Sequence, residues 1–419
     1  MFVECIWELE FVLSLKKIEQ NKQSIWNGKL VLLWIGSVFS SLSISMYLTI
    51  EQWYVVDYLN LNKSLGVILM ATTIPRVLLI MLGGVFADRY RRSKIIFMSL
   101  FSRSLILIVM SILFINDHLS LWVLFACALL FGASDAFFWS ARDSIIPKIV
   151  SKEQLTKANS LIQTTNQITI MLGPFIGAAL ISFFSYSIAF IIMAAILFLG
   201  SVIIWFLREE KSKEIKESAI LTDIKEGISY VKTSKFLLTV MGTFIVVNLF
   251  FVGPLMLSIP IMANENLGGK AVDLSILQSS FAGGMLLGAI LMGVINVKKG
   301  RGKLVIFLVA LEGVLLIIFS QTEIVWIASI VLLIIGVCVS SINIPIVSLI
   351  QETTPLSVVG RIMSINTMVS MGLIPISYGV VSSLLSFHIS IKFILLSAGT
   401  VVLFFSIFLI IKASEFKKV

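Results

Sequence analysis

The sequence is poor in what a water-facing surface needs. Of its 419 residues only 13% are charged, where a soluble domain is about one quarter charged. That scarcity excludes a soluble enzyme, a disordered chain and a nucleic-acid-binding module. Histidine occurs twice, at His118 and His388, which starves most catalytic and metal schemes. The three cysteines, Cys5, Cys127 and Cys338, lie far apart, with neither a disulfide framework nor a metal-ligand spacing. They are expected to be packing residues. No H-E-x-x-H, G-x-S-x-G or G-x-x-x-x-G-K-[ST] motif occurs, so the chain lacks the constellations of a membrane enzyme. What it has in abundance is apolar residues, 58% of the total.

Runs of Leu, Ile, Val, Phe and Met recur from Leu30 to Ile411. A helix that spans a bilayer takes about 20 apolar residues. Runs bounded by charged or turn residues give twelve spans: 30–55, 64–87, 94–115, 120–141, 159–182, 187–207, 236–262, 272–297, 304–321, 324–349, 358–385 and 391–411. They are continuous rather than alternating, which sets aside a transmembrane barrel. The expected class is an all-α membrane protein.

The net charge of +9 on its own would fit an acidic partner. Its distribution says otherwise. With the N-terminus in the cytoplasm, 27 of the 32 Lys and Arg fall in residues 1–29, 88–94, 142–157, 208–235 and 298–303, at Arg361 and after Ile411. The opposite loops hold Lys63, Lys270 and Lys392. This is the positive-inside pattern, so the charge reads as orientation in a plasma membrane with both termini cytoplasmic, and no nucleic acid is expected.

Residues 1–29 form an N-terminal extension without the basic start and cleavage site of a secretory signal. It is either a short interfacial helix on Trp7, Leu9, Phe11, Val12 and Leu15 or an unstructured segment. Residues 208–235, with seven basic and six acidic side chains, read as a cytoplasmic linker. The expected organisation is a six-helix half over 30–207, the linker, a second six-helix half over 236–411 and a tail over 412–419. Gly132, Pro147 and Pro174 in the first half are echoed about 200 residues on by Gly336, Pro355 and Pro375. Such repeats place a substrate site near mid-bilayer.

Between spans two and three, Gly83-Gly84-Val85-Phe86-Ala87-Asp88-Arg89-Tyr90-Arg91-Arg92 resembles the signature loop of the major facilitator superfamily, G-x-x-x-D-R-x-x-R-[RK]. Arg91 stands where that family usually has glycine, and Ser93 where it often has a basic residue. In span five, Gly173-Pro174-Phe175-Ile176-Gly177-Ala178 resembles the G-P-x-x-G-G element of its drug-exporting antiporters, with Ser160 and Thr169 in place of the upstream glycines. Phe131–Val150, Gln154–Ser160 and Trp34-Ile35-Gly36 are similar to the macrolide-efflux branch. The resemblance implies the facilitator fold, two halves rocking about a central cavity. It further implies a gating role for Gly84, Asp88, Arg89, Arg92 and Arg142, and a monomeric exporter in the bilayer that holds no metal or cofactor.

An ionisable side chain in hydrocarbon is a functional hypothesis by default. Arg76, near the middle of span two, is expected as the counter-ion of a buried acid or as a ligand for an anionic substrate group. Asp135 in span four shares its side of the helix with Phe131, Phe138 and Trp139, with Arg142 two turns on. A carboxylate beside aromatic faces suits a hydrophobic cation and a carried proton; the other reading is a structural pair with Arg142 or with a neighbouring helix. Glu51, with Tyr47, Tyr54 and Tyr58 on its face, is either a vestibule acid or an interfacial residue in an aromatic belt. Arg103 and Glu312 are expected to be structural, since the resemblance places spans three and nine peripheral to the cavity, while Asn248, Asn366 and Gln167 are candidate lining residues.

By what the resemblance implies, the chain exports hydrophobic, macrolide-type compounds against protons, with Asp135 or Glu51 titrating. Two alternatives stay open: the same machine moving an endogenous metabolite such as a siderophore or lipid, and a non-transporting membrane sensor.

Overall fold

A computed structural model describes residues 27–89, 91–151, 154–207, 229–295, 297, 300–355, 359–413 and 416, without the side chains of 80–89, 156, 359–361, 364 and 367. The extension as far as residue 26, the linker over 208–228 and most of the tail lie outside the described residues.

Continuous apolar runs become helices because lipid offers the backbone no hydrogen-bond partners, and a helix satisfies its own. The described residues contain no strand. Their long helices are α1 (Gly28–Tyr58), α2 (Leu65–Arg89), α3 (Arg92–Ile115), α4 (Leu121–Ile149), α5 (Leu155–Phe183) and α6 (Tyr186–Trp205). The second set is α7 (Lys235–Glu265), α8 (Ala271–Ile295), α9 (Arg301–Ser320), α10 (Val325–Thr353), α11 (Val359–Ser386) and α12 (Ile391–Lys412). Eleven of these contain a stretch long and apolar enough to cross a membrane. Helix α2, whose side chains over 80–89 lie outside the described residues, has 25 residues and is equally apolar by sequence, with Arg76 as the one charge over 65–82.

Helix α4 runs eight residues past the expected end at 141, and α10 four past 349. A charged residue ends an apolar run without ending the backbone ladder. Asn27 caps α1 by accepting from Leu30 N at 2.8 Å. In α7 a widened turn over Asn248–Val252 precedes Gly253-Pro254. Pro254 has no N–H to give that turn, and Ser377 Oγ donates to the Leu249 carbonyl at 2.6 Å instead.

In the first set α2 packs on α4, α3 on α4 and α6, and α1 on α5 and α6. In the second, α8 packs on α10, α9 on α10 and α12, and α7 on α11. The sets meet where α5 packs on α8 and α2 on α11. We call the side with the basic loops the basic face and the other the far face. Cross-set hydrogen bonds gather toward the far face: Ser279 Oγ donates to Met171 O at 2.8 Å, Thr49 Oγ1 to Gln278 Oε1 at 2.7 Å, and Gln278 Nε2 to Gln52 Oε1 at 2.8 Å. Nearer the basic face, α5 leaves Asn159, Ser160, Gln163 and Thr164 exposed.

Candidate functional site

Four helices of the first set converge on Asp135, whose side chain is fully buried. Arg103 Nη1 on α3 donates to Oδ1 at 2.7 Å. Arg76 Nε on α2 lies 3.2 Å from Oδ2, and Trp139 Nε1, one turn along α4, donates to Oδ2 at 3.0 Å. Arg103 also reaches α1 through Ser40 Oγ at 2.8 Å. The aromatic faces beside Asp135 are taken by the protein's own cations. The Arg103 guanidinium lies 5.3 Å from the Phe138 ring and 5.7 Å from Phe131, and those of Arg76 and Arg142 lie 5.5 and 4.0 Å from Trp139. A buried charge needs pairing and hydrogen bonds, and Asp135 has both.

Two expectations change here, while Arg103 keeps its structural reading and gains a partner: it is fully buried against Asp135. Arg142 does not pair with Asp135; its Nη2 lies 2.7 Å from Asp143, the next residue. The place beside Asp135 expected to receive a hydrophobic cation holds Arg103 and Arg76.

Glu51 is the second buried acid, 1% exposed. Tyr47 Oη, one turn back, donates to Oε1 at 2.8 Å. Thr72 Oγ1 on α2 lies 3.1 Å from Oε1 and 3.3 Å from Oε2. No ion pair to Glu51 occurs among the described residues. The interfacial reading is therefore corrected, because Glu51 faces α2 inside the first set. Tyr54 and Tyr58 do not accompany it. They stack on each other at 4.9 Å and join Phe114 and Tyr186 in an aromatic cluster, where Tyr54 Oη donates to the Leu119 carbonyl at 2.8 Å.

The two acids are linked mechanically. Thr72 and Arg76 stand one turn apart on α2 and so share a face, one against Glu51 and the other against Asp135. Tyr47 stacks at 4.1 Å on Phe131, itself one turn before Asp135. Gly132 lets the α4 backbone lie directly on the Thr72 carbonyl, where any Cβ would overlap it. On the other side of α1, Gly173 sits on Ser45 and Gly177 on Met46 and Ile50. Pro174 withdraws the N–H that would have met the Ile170 carbonyl, and Ser45 Oγ donates to that carbonyl at 3.2 Å. The Gly-Pro element thus seats α5 on the helix that carries Glu51.

A profile of the Major Facilitator Superfamily matches residues 33–377 and 254–418. The chain belongs to the major facilitator superfamily. It is similar to macrolide efflux protein A of Streptococcus pyogenes, 24% identical over 396 residues that cover 91% of this chain and 93% of that one. It is 24% identical over 261 residues to a Na(+), Li(+), K(+)/H(+) antiporter of Planococcus maritimus, covering 59% and 60% of the two chains. In solved structures, the fold is shared with the POT family transporter PepTSo, at TM-score 0.71 and 12% identity over 93% of this chain and 98% of that one. The nucleoside transporter NupG matches at TM-score 0.69 and 14% identity over 93% and 99%. The facilitator fold and the macrolide-efflux likeness expected from the motifs are both found.

Other candidates of this facilitator lie apart from the two acids. Asn248 is buried in the widened turn of α7, and its Nδ2 donates to the Phe244 carbonyl at 2.8 Å. Asn366 is buried on α11 and Glu312 on α9; among the described residues neither Asn366 Oδ1 nor Glu312 Oε2 has a hydrogen-bond partner. Arg92 is buried at the start of α3, while Gly84, Asp88 and Arg89, also expected to gate, fall at the end of α2 where side chains lie outside the described residues. Among the described residues no three His, Cys, Asp or Glu gather as a metal site. Sequence reasoning missed the Thr72 contact and the Arg103 pairing. A threonine gives no signal in an apolar run, whereas an arginine within one, as at position 103, already asked for an acid.

Proposed function

We propose that this facilitator exports hydrophobic, amphipathic compounds of the macrolide type by proton antiport, with both termini cytoplasmic and one chain sufficient. The exposed polar face of α5 that carries Gln163 and Thr164 would then line a cavity that opens to the cytoplasm and takes up substrate there. The observation that carries the reading is Glu51, a buried carboxyl held by two hydroxyls with no cation in ion-pair reach among the described residues. Proton uptake at such a group removes a full charge from the helix core, whereas the charge of Asp135 is already matched by Arg76 and Arg103. Glu51 is therefore assigned as the coupling acid and Asp135 as the residue that locks α2, α3 and α4 together.

When Glu51 changes charge, Thr72 and Tyr47 must re-form their bonds, and α1 shifts on α2. Gln278 grips α1 on either side of Glu51, through Thr49 and Gln52, so that shift reaches the second set. Likeness to macrolide efflux protein A over most of both chains supports the substrate class.

Proteoliposomes with an imposed pH gradient test the reading. Uphill movement of a macrolide or lipophilic dye, abolished by a protonophore, is expected. Uphill flux of an endogenous lipid or siderophore alone would replace the substrate class, and no gradient-driven flux of any of them would overturn proton antiport.

A further inference from the structure

A second group of polar contacts at the far face plays no part in the exchange just described. The turn between α1 and α2 is gripped from the second set at several points. Lys63 Nζ donates to His388 Nε2 at 2.9 Å, Ser382 Oγ donates to the Lys63 carbonyl, and Asn62 Nδ2 donates to Glu265. Nearby, Asn264 Nδ2 donates to Asp57 Oδ1 at 3.1 Å. Lys63, Asn62, Glu265 and His388 line one cleft of about 830 Å³ between the sets. His388 is held in place by its turn, with φ at 61° and its N–H on the Leu385 carbonyl at 3.0 Å.

The Lys63–His388 contact differs from the others in kind. An ammonium has donors only, so Nε2 must accept, and it accepts only while it carries no proton. Histidine is the side chain that changes charge near neutrality. Once protonated, His388 would face Lys63 as cation to cation. Of the other charged groups around it, Lys392 pairs with Glu323 at 3.2 Å, whereas the carboxylates of Glu265 and Asp57 each accept from a neutral amide, of Asn62 and Asn264.

We propose that Lys63 and His388 form a pH-sensitive latch between the two six-helix sets, closed while His388 is neutral and released when the far face turns acidic. The latch uses the alternating access of the proposed function but neither its substrate nor its coupling acid. For an exporter driven by protons from outside, acid on that face would favour the outward-open state that receives them.

Electron-resonance distance measurements on the full chain in lipid nanodiscs test it. Spin labels at Ser120→Cys and Phe387→Cys, both exposed on the far face, report the gap once Cys5, Cys127 and Cys338 are replaced by alanine. A Glu51→Gln background removes the coupling acid from the response. Going from about pH 8 to about pH 5.5 is expected to raise the ratio of long to short distances. For one exposed contact the rise should be about threefold. His388→Gln and Lys63→Met should each abolish that rise. An equal rise in either variant, or none in the parent, overturns the latch.

Discussion

Thr72 holds Glu51, with its hydroxyl 3.1 and 3.3 Å from the two carboxylate oxygens. One turn along the same helix, Arg76 holds Asp135. Replacing Thr72 by valine keeps its volume and removes the hydroxyl. A hydrogen bond to a charged group contributes about 1.5–3 kcal/mol, so Thr72→Val should slow gradient-driven flux by about tenfold or more. Its unfolding midpoint should fall as well, because the buried carboxyl loses one of its two hydroxyl partners. Flux assays and thermal unfolding of the same preparation check this.

Gly132→Val should fail for a different reason. Any Cβ at 132 meets the Thr72 backbone, which cannot swing away as a side chain would. Overpacking of this kind costs about 1–3 kcal/mol, so the melting temperature should fall along with activity.

Arg103 and Asp135 offer a test of charge pairing. Removing one member of a buried pair costs about 3–5 kcal/mol, while replacing both is often near neutral. Arg103→Met alone should lower the unfolding midpoint sharply, and adding Asp135→Asn should restore much of the loss. Arg76 tolerates the exchange, since its side chain is 30% exposed. Unfolding curves of the single and double variants decide it.

The helices were legible because hydropathy alone dictates them: the expected span 272–297 and the observed α8, Ala271–Ile295, nearly coincide. Motif residues were legible too, Gly173, Pro174 and Gly177 among them. Partner choice was not. Sequence spacing placed Arg142 two turns from Asp135 on one helix, but the adjacent Asp143 is nearer to it and more exposed. Arg103 could be assigned to Asp135 only once the rotations of α3 and α4 were known. Glu51 looked interfacial because the three tyrosines on its face mimic an aromatic belt, yet Tyr47 turns inward to Glu51 and only Tyr54 and Tyr58 join the far cluster.

Gln278→Leu removes the grip on Thr49 and Gln52 while leaving every titratable group in place. With the far-face spin labels, it should raise the open population at all pH values. The pH response should survive, in contrast to His388→Gln.

Proton coupling through Glu51 is the central claim. Its most direct test is proton movement itself, recorded with a trapped pH dye in proteoliposomes as substrate is added to wild type and Glu51→Gln. Wild type should move protons with substrate. The variant should move none, yet still exchange substrate down its gradient. Substrate-driven proton movement in Glu51→Gln at the wild-type rate would contradict the assignment.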